Sequence, residues 1–141
     1  MKQNVLIIGA GGVAQVTAHK CAQNNDILGN ICIAARNLAK CTSVIESVMR
    51  KSSLKDPSKK LTAREFNALN IPSTVQLIRE TNSSIVINLG SSFINMSVLE
   101  ACIEAGVTYM DTAIHEDPAK VCEDPPWYAN YEWKRRDRCR A

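Results

Sequence analysis

The sequence lacks any apolar run that approaches the roughly 20 residues needed to span a bilayer. Its 141 residues are 45% hydrophobic and 22% charged, which is ordinary for one globular domain. Lys2 and the apolar stretch 5–14 imitate a short signal peptide. However, three glycines interrupt that stretch, and no small-residue cleavage site follows it. We therefore expect a cytoplasmic protein with no membrane partner.

The sequence also lacks the paired cysteines of zinc ribbons and redox dithiols. No two of its six cysteines are spaced as C-x-x-C, and their irregular spacing does not suggest a disulfide framework. His115, Glu116 and Asp117 lie near Cys122, but this spacing matches neither a standard zinc site nor a Cys–His nucleophile pair. We therefore expect no metal and no catalytic cysteine.

A basic surface is missing except at one end of the chain. The formal net charge is +3, and residues 133–140 alone contribute +4, so the remaining residues sum to −1. Nucleic-acid binding needs a basic face that neutralises phosphates. We therefore expect no nucleic-acid partner, and we interpret the basic end as a solvated helix end.

The chain alternates between short apolar runs and segments with helical periodicity. The pattern predicts strands at 4–8, 29–36, 61–66, 84–90 and 107–112. It predicts helices at 12–23, 38–49 and 72–80, and a fourth that begins at Asn95 or Ser97 and ends before Gly106. The polar segment 51–60 is a predicted surface loop. This order is typical of a three-layer α/β/α, Rossmann-type doubly wound parallel sheet of about five strands.

A glycine-rich stretch, residues 9–14, follows the first strand and fits the pattern G-x-G-x-x-[GA]. Gly9 allows a tight turn, and Gly11 lets a pyrophosphate approach the backbone. Gly12 and Val13 open the helix, whose free amides favour an anion. The sequence therefore predicts a dinucleotide site here, with a turn that merely needs glycine as the alternative.

The end of the second strand decides which dinucleotide the site prefers. An acid there would bind the ribose hydroxyls of NAD, but no acidic residue occurs between Asp26 and Glu46. Arg36 stands at that position instead, where its guanidinium fits the 2′-phosphate of NADP, and Asn37 adds a hydrogen-bonding group. We predict NADP(H), with a surface ion pair as the alternative role of Arg36.

Further candidate cofactor residues lie at the carboxyl ends of strands four and five, because parallel α/β sheets bind ligands at that edge. After strand four they are Asn88, Leu89, Gly90 and Ser91. After strand five they are Asp111 and Thr112. A purely structural turn remains the alternative for Asn88 and Gly90, and a loop-capping role remains the alternative for Asp111 and Thr112.

Four stretches together resemble the saccharopine dehydrogenase family, and most of all its carboxynorspermidine dehydrogenase branch. They are VLIIGAGGVAQV, ICIAARN, IVINLGSSFINMSVLEACIEAGVTYMDTA and CEDPPWYANYEWKRRD. The resemblance implies an NADP-dependent oxidoreductase that acts on CH–NH groups. Its substrates would be a diamine, such as putrescine or 1,3-diaminopropane, and aspartate semialdehyde. A saccharopine-forming or saccharopine-cleaving reductase of lysine metabolism is the second enzyme interpretation, and a nucleotide-sensing module without catalysis is the third.

The resemblance also implies a domain division and a missing part. Residues 1–125 would form the NAD(P)-binding domain, and residues 126–141 would begin the connection to a substrate domain. We expect this part alone to be largely inactive, and we expect homo-oligomers because apolar surface near strand five would be exposed. Many relatives carry an acid beside the adenine near the end of strand three. This chain has Leu69 and Asn70 there.

Overall fold

A computed structural model describes residues 3–113 and 137–141. Strands and helices alternate along the chain, as the periodicity predicts. The strands are β1 (Asn4–Ile8), β2 (Ile31–Ala35), β3 (Leu61–Glu65), β4 (Ser83–Asn88) and β5 (Thr108–Asp111). The helices are α1 (Gly12–Ala22), the short α2 (Asn25–Leu28), α3 (Leu38–Arg50), α4 (Ile71–Glu80) and α5 (Asn95–Ala105).

The five strands form one parallel sheet in the order β3-β2-β1-β4-β5. The order reverses between β1 and β4, and Ile7 in β1 pairs with both Ile33 and Ile87. This is the Rossmann-type arrangement predicted from the sequence. Its crevice for ligands lies where the strand order reverses, at the carboxyl ends of the strands.

Two apolar layers cover the sheet because successive side chains of a strand point to opposite faces. Leu6 and Ile8 face the layer that includes buried residues of α4 and α5. Val5 and Ile7 face the layer that includes buried residues of α1 and α3. β1 is thus buried on both sides, which explains its continuous apolar sequence.

The buried face of α1 differs from what the apolar spacing indicates. Val13 and Val16 recur at helical spacing, yet they are 61% and 62% exposed. Ala14, Ala18 and Ala22 are buried against the sheet instead. Small side chains allow α1 to lie close to the strands, so the alanines, rather than the valines, define its packed face.

Helix ends follow the predicted signals at some positions and depart from them at one. Gly106 ends α5 as predicted, in the left-handed conformation with φ of 69°. Asn70 was not a predicted cap, yet it caps α4 by accepting a hydrogen bond from the Ser73 amide at 3.0 Å. Neither Asn95 nor Ser97 caps α5, because a 3₁₀ turn at Ser92–Ile94 leads directly into the helix.

The basic end of the chain includes a helical turn at residues 137–140. Arg138 Nε lies 2.6 Å from Glu100 Oε1 on α5, so this part of the basic end pairs with the domain. Residues 114–136, which include the boundary predicted at 125, lie outside the described part of the chain. Within the described ranges, no helix has the length and apolar character that a membrane crossing requires.

Candidate cofactor-binding site

A cleft of about 380 Å³ opens at the carboxyl ends of β1, β2 and β4. Two of its walls come from the β3–α4 loop and the β4–α5 loop, and β1 and β2 end at its floor. The described lining residues are Ile8, Gly9, Ala35, Arg36, Phe66, Asn67, Ala68, Leu69, Gly90, Ser91, Phe93 and Ile94. Three predicted parts of the site therefore meet here: the glycine turn, the guanidinium after β2 and the loop after β4.

Gly9 forms the turn at the end of β1. Its φ of +115° is a conformation that side chains with a Cβ rarely adopt. A Cβ at this position would lie 2.7 Å from the carbonyl oxygen of Leu89. The amide of Leu89 in turn donates to the carbonyl of Ile8 at 2.7 Å. Gly9 is therefore needed both for its dihedral angle and for the close approach of the β4–α5 loop.

Gly11 and Gly12 differ from Gly9, because a Cβ on either would meet no protein atom within 4 Å. Gly11 is the N-cap of α1 and makes no side-chain cap, and the first turn contains no acid. The first helical bond runs from the Gln15 amide to the Gly11 carbonyl at 2.9 Å. The amides before it, Val13 among them, precede the helical hydrogen bonds and carry the positive end of the helix dipole. This helix start suits an anion that approaches the backbone closely.

Arg36 follows β2 and lies on the wall of the cleft with its side chain exposed. Among the residues that the structure describes, no carboxylate forms an ion pair with it. The surface ion pair considered as an alternative is therefore not found in this part of the chain. Asn37 caps α3, since its Oδ1 accepts from the Lys40 amide at 3.1 Å, so that atom already has a protein partner.

One side of the cleft is apolar, and the sequence reasoning did not identify it. Phe66, Ala68 and Leu69 come from the β3–α4 loop, and Phe93 comes from the β4–α5 loop. Leu69 is 59% exposed and Phe93 is 37% exposed, so both side chains present apolar surface to the cleft. These apolar residues follow the third and fourth strands, and that position was the signal in the sequence that could have placed them at the ligand-binding edge of the sheet. Leu69 and Asn70 stand where the resemblance implied an acid, and the side chain of Asn70 instead caps α4 by accepting from the Ser73 amide.

Asn88 is 2% exposed, and its side chain makes three hydrogen bonds to the protein. Its Oδ1 accepts from the Gly90 amide at 3.1 Å. Its Nδ2 donates to Asn95 Oδ1 at 2.8 Å and to the Tyr109 hydroxyl at 3.4 Å. The geometry matches the structural alternative for Asn88, because the side chain is directed into the protein while Gly90 and Ser91 line the cleft.

Tyr109 and Asp111 form a polar pair at the end of β5. The Tyr109 hydroxyl donates to Asp111 Oδ2 at 2.8 Å, and the Asn95 carbonyl lies farther from it at 3.3 Å. Burial raises the pKa of Tyr109 well above its usual range, so this hydroxyl stays protonated and remains a donor. Asp111 is half-buried and Thr112 is exposed. Tyr109 was not among the predicted site residues, because only its packing against Asn88 reveals its role.

No group of three or more potential metal ligands occurs within residues 3–113 and 137–141. The cluster around His115 and Cys122, considered in the sequence, lies outside the described residues. The five described cysteines are free, and four of them are buried. Burial raises the pKa of Cys21, Cys32 and Cys102, which keeps these thiols protonated and unreactive.

Comparison with known proteins finds one matching family and several curated relatives. A family model described as the saccharopine dehydrogenase NADP binding domain matches residues 5–141. Carboxynorspermidine synthase from Vibrio cholerae is 47% identical over 135 residues, which cover 96% of this chain and 33% of that protein. Carboxyaminopropylagmatine dehydrogenase from Synechocystis is 33% identical over 133 residues, or 94% of this chain and 31% of that protein. The chain thus spans about a third of the length of these curated relatives.

Among solved structures, apo saccharopine dehydrogenase from Saccharomyces cerevisiae superposes with a TM-score of 0.61. The match covers 83% of this chain and 23% of the yeast chain, at 23% sequence identity. At that identity the likeness supports the fold alone. It agrees with the predicted Rossmann-type sheet.

Proposed function

The chain belongs to the saccharopine dehydrogenase NADP-binding domain family, and on this premise we propose that it is the cofactor-binding part of a polyamine-forming oxidoreductase. The reaction proposed for the full-length protein joins a diamine and aspartate semialdehyde in an NADPH-dependent reductive condensation. The product is carboxynorspermidine or carboxyspermidine, depending on the diamine. The name and 47% identity of the Vibrio relative support this assignment.

The observation that carries the proposal is the combination of an open helix start with a guanidinium one strand away. Gly11 and Gly12 leave room above the first amides of α1, and we assign the pyrophosphate to residues 9–13. Arg36 is then the partner of the ribose 2′-phosphate, with Asn37 beside it. The described lining of the cleft contains no acid that would repel this phosphate.

The rest of the cleft supports an orientation of the cofactor with its adenine next to Arg36 and its nicotinamide near the β4–α5 loop. Phe66, Leu69 and Phe93 form an apolar wall next to Arg36, which suits the adenine ring. The loop with Leu89, Gly90 and Ser91 then faces the nicotinamide half. Asp111 and Thr112 follow β5 at the same edge of the sheet, where we assign them to the part of the site that adjoins the substrate.

The proposed chemistry divides between cofactor and protein. A diamine nitrogen would attack the aldehyde carbon, and loss of water would give an imine. NADPH, when bound, would supply a hydride to the imine carbon, and the nitrogen would take up a proton to give the secondary amine. The residues of this chain hold the cofactor and orient it, and the remainder of the protein supplies most of the contacts to the substrates. We accordingly infer that this chain alone binds NADPH without appreciable turnover.

The identity of the amine is the finer question. The Synechocystis relative is named for carboxyaminopropylagmatine, so agmatine is a second candidate amine beside the unsubstituted diamines. Saccharopine formation and a non-catalytic nucleotide sensor are the other two functions that the sequence left open. The chain is 47% identical to carboxynorspermidine synthase and 33% identical to the agmatine-named relative, which favours the diamine reaction over the agmatine reaction.

Two measurements test the proposed function. The chain is titrated with NADPH and with NADH, and we expect clearly tighter binding of NADPH. The full-length protein is then assayed for NADPH oxidation with aspartate semialdehyde plus 1,3-diaminopropane, putrescine or agmatine. A separate assay uses glutamate plus aminoadipate semialdehyde. Turnover in the glutamate assay but with none of the other amines would contradict the polyamine assignment. Cofactor binding without turnover in any assay would favour the nucleotide-sensing module.

A further inference from the structure

We propose that Asn88 is a positioning residue for the cofactor, acting through the loop that crosses the glycine turn. The inference rests on the proposed function, because it concerns the same cleft. Its basis is a buried pair of amides, Asn88 and Asn95, which we call the asparagine clamp. Both residues are 2% exposed, and they bond to each other at 2.8 Å.

The first arm of the asparagine clamp holds the loop on the cofactor side. Asn88 Oδ1 accepts from the Gly90 amide at 3.1 Å, which fixes the backbone at residues 88–90. The carbonyl of Leu89, inside this segment, lies 2.7 Å from where a Cβ on Gly9 would stand. The segment therefore packs directly on the first residue of the glycine turn. Any outward movement of residues 88–90 would release Gly9 from this contact.

The same loop is confined on its other side. A Cβ on Gly90 would lie 2.5 Å from Ile94 Cδ1 and 3.3 Å from Asn88 Oδ1. Gly90 and Ile94 both line the cleft. The width of the cleft next to Gly9 thus depends on where Asn88 holds Gly90.

The second arm of the asparagine clamp reaches the loop after β5. Asn95 Nδ2 donates to the carbonyl of Ala113, two residues beyond Asp111. Asn88 Nδ2 also faces the Tyr109 hydroxyl, which donates to Asp111. Two adjacent asparagines therefore fix both loops at the carboxyl edge in one relative position, with the cofactor loop on one side and the proposed substrate side on the other.

Asn25 provides a matched control, because it is an equally buried asparagine that joins two backbone segments elsewhere. It is 0% exposed. Its Nδ2 donates to the Asp56 carbonyl at 2.8 Å, and its Oδ1 accepts from the Asp56 backbone amide at 2.7 Å. It follows the carboxyl end of α1 and is not part of the cleft. Asn25→Ala therefore removes a comparable buried bridge without touching the proposed site.

The test compares NADPH affinity, from the fluorescence of the bound nicotinamide, in wild type, Asn88→Ala, Asn88→Ser and Asn25→Ala, at a temperature well below each Tm. We expect Asn88→Ala to weaken binding at least about fivefold. Asn88→Ser keeps an oxygen that accepts from the Gly90 amide and should recover part of the affinity. Asn25→Ala should lower Tm but leave the NADPH Kd unchanged.

Each outcome decides the proposal. If folded Asn88→Ala binds NADPH as wild type does, or if Asn25→Ala weakens binding equally, Asn88 is a stability residue only and the inference is wrong. Should Asn88→Ala fail to fold, Asn88→Ser alone decides, with an intermediate Kd expected and an unchanged Kd contradictory. If wild type itself does not bind NADPH, the proposed function fails first, which separates the two conclusions.

Discussion

The carbonyl oxygen of Leu89 lies 2.7 Å from the position that a Cβ atom would occupy on Gly9. This contact joins the end of β1 to the loop after β4, the two elements at which the strand order reverses. Gly9 is therefore part of the protein's own packing, in addition to its place beside the proposed cofactor.

Gly9→Ala should destabilise the domain. The new methyl group meets backbone atoms, which cannot rotate away, and φ of +115° is strained for alanine. We expect a loss of about 1–3 kcal/mol in the free energy of unfolding. Urea denaturation followed by circular dichroism measures it. A variant as stable as wild type would contradict the packing described for residues 9 and 89.

Gly11→Ala should show the opposite pattern, with stability retained and cofactor binding reduced. A Cβ there meets no protein atom within 4 Å, and the backbone is extended with φ of −86°. We expect stability within about 0.5 kcal/mol of wild type, together with weaker NADPH binding because the methyl group occupies the space assigned to the pyrophosphate. The same denaturation series and an NADPH titration test this. Unchanged NADPH affinity would place the pyrophosphate elsewhere.

The contrast between Gly9 and Gly11 shows which features of the site local sequence predicts and which depend on contacts between distant residues. The motif predicted a turn, a helix start and a close ligand approach, because those demands depend on local residue order. It could not assign Gly9 to contact with Leu89, since that contact joins residues 80 positions apart. Likewise, the residue spacing at 12–23 predicted the helix α1 but not its buried face, which close packing on the sheet assigns to Ala14 and Ala18.

The residues of the cleft divide in the same way, into those that the local sequence predicts and those that only the fold brings together. Arg36 was predicted from its place after a strand and from the absence of an acid nearby, and it lies on the cleft wall. Phe66 and Phe93 were not predicted. Their positions after β3 and β4 place them at the carboxyl edge of the sheet, but only the folded loops bring the two side chains into one cleft. Tyr109 was missed since its partners, Asn88 and Asp111, converge only when β4 and β5 pair.

Acid should destabilise the domain partly through Asp56. Asp56 Oδ1 accepts hydrogen bonds from the Ser58 hydroxyl at 2.6 Å and from the Ser58 amide at 3.0 Å. These bonds, the hydroxyl bond most of all, help lower the pKa of Asp56 from 3.8 to about 2. The unfolded chain therefore binds the proton more readily than the folded one. The stabilisation from Asp56 is present above pH 3.8 and is lost as the pH falls towards 2.

Asp56→Asn and Ser58→Ala test this assignment. Asp56→Asn should remove the Asp56 part of the decrease in stability between pH 4 and pH 2. Ser58→Ala, which deletes only the hydroxyl donor, should remove a smaller part. Thermal unfolding across this pH range gives the comparison. Identical pH dependence in wild type and Asp56→Asn would show that the carboxylate hydrogen bonds do not contribute.

We propose that the first amides of α1 bind the pyrophosphate while Arg36 binds the 2′-phosphate. This assignment is most directly tested by measuring NADPH and NADH affinities in wild type, Arg36→Ala and Arg79→Ala. Arg79 is an exposed arginine in the last turn of α4 and lies outside the cleft, so its variant controls for the loss of one positive charge. We predict that Arg36→Ala weakens NADPH binding about tenfold to a hundredfold while NADH affinity changes little, and that Arg79→Ala affects neither. Equal weakening of both cofactors, or no change in NADPH affinity for Arg36→Ala, would contradict recognition of the 2′-phosphate at this position.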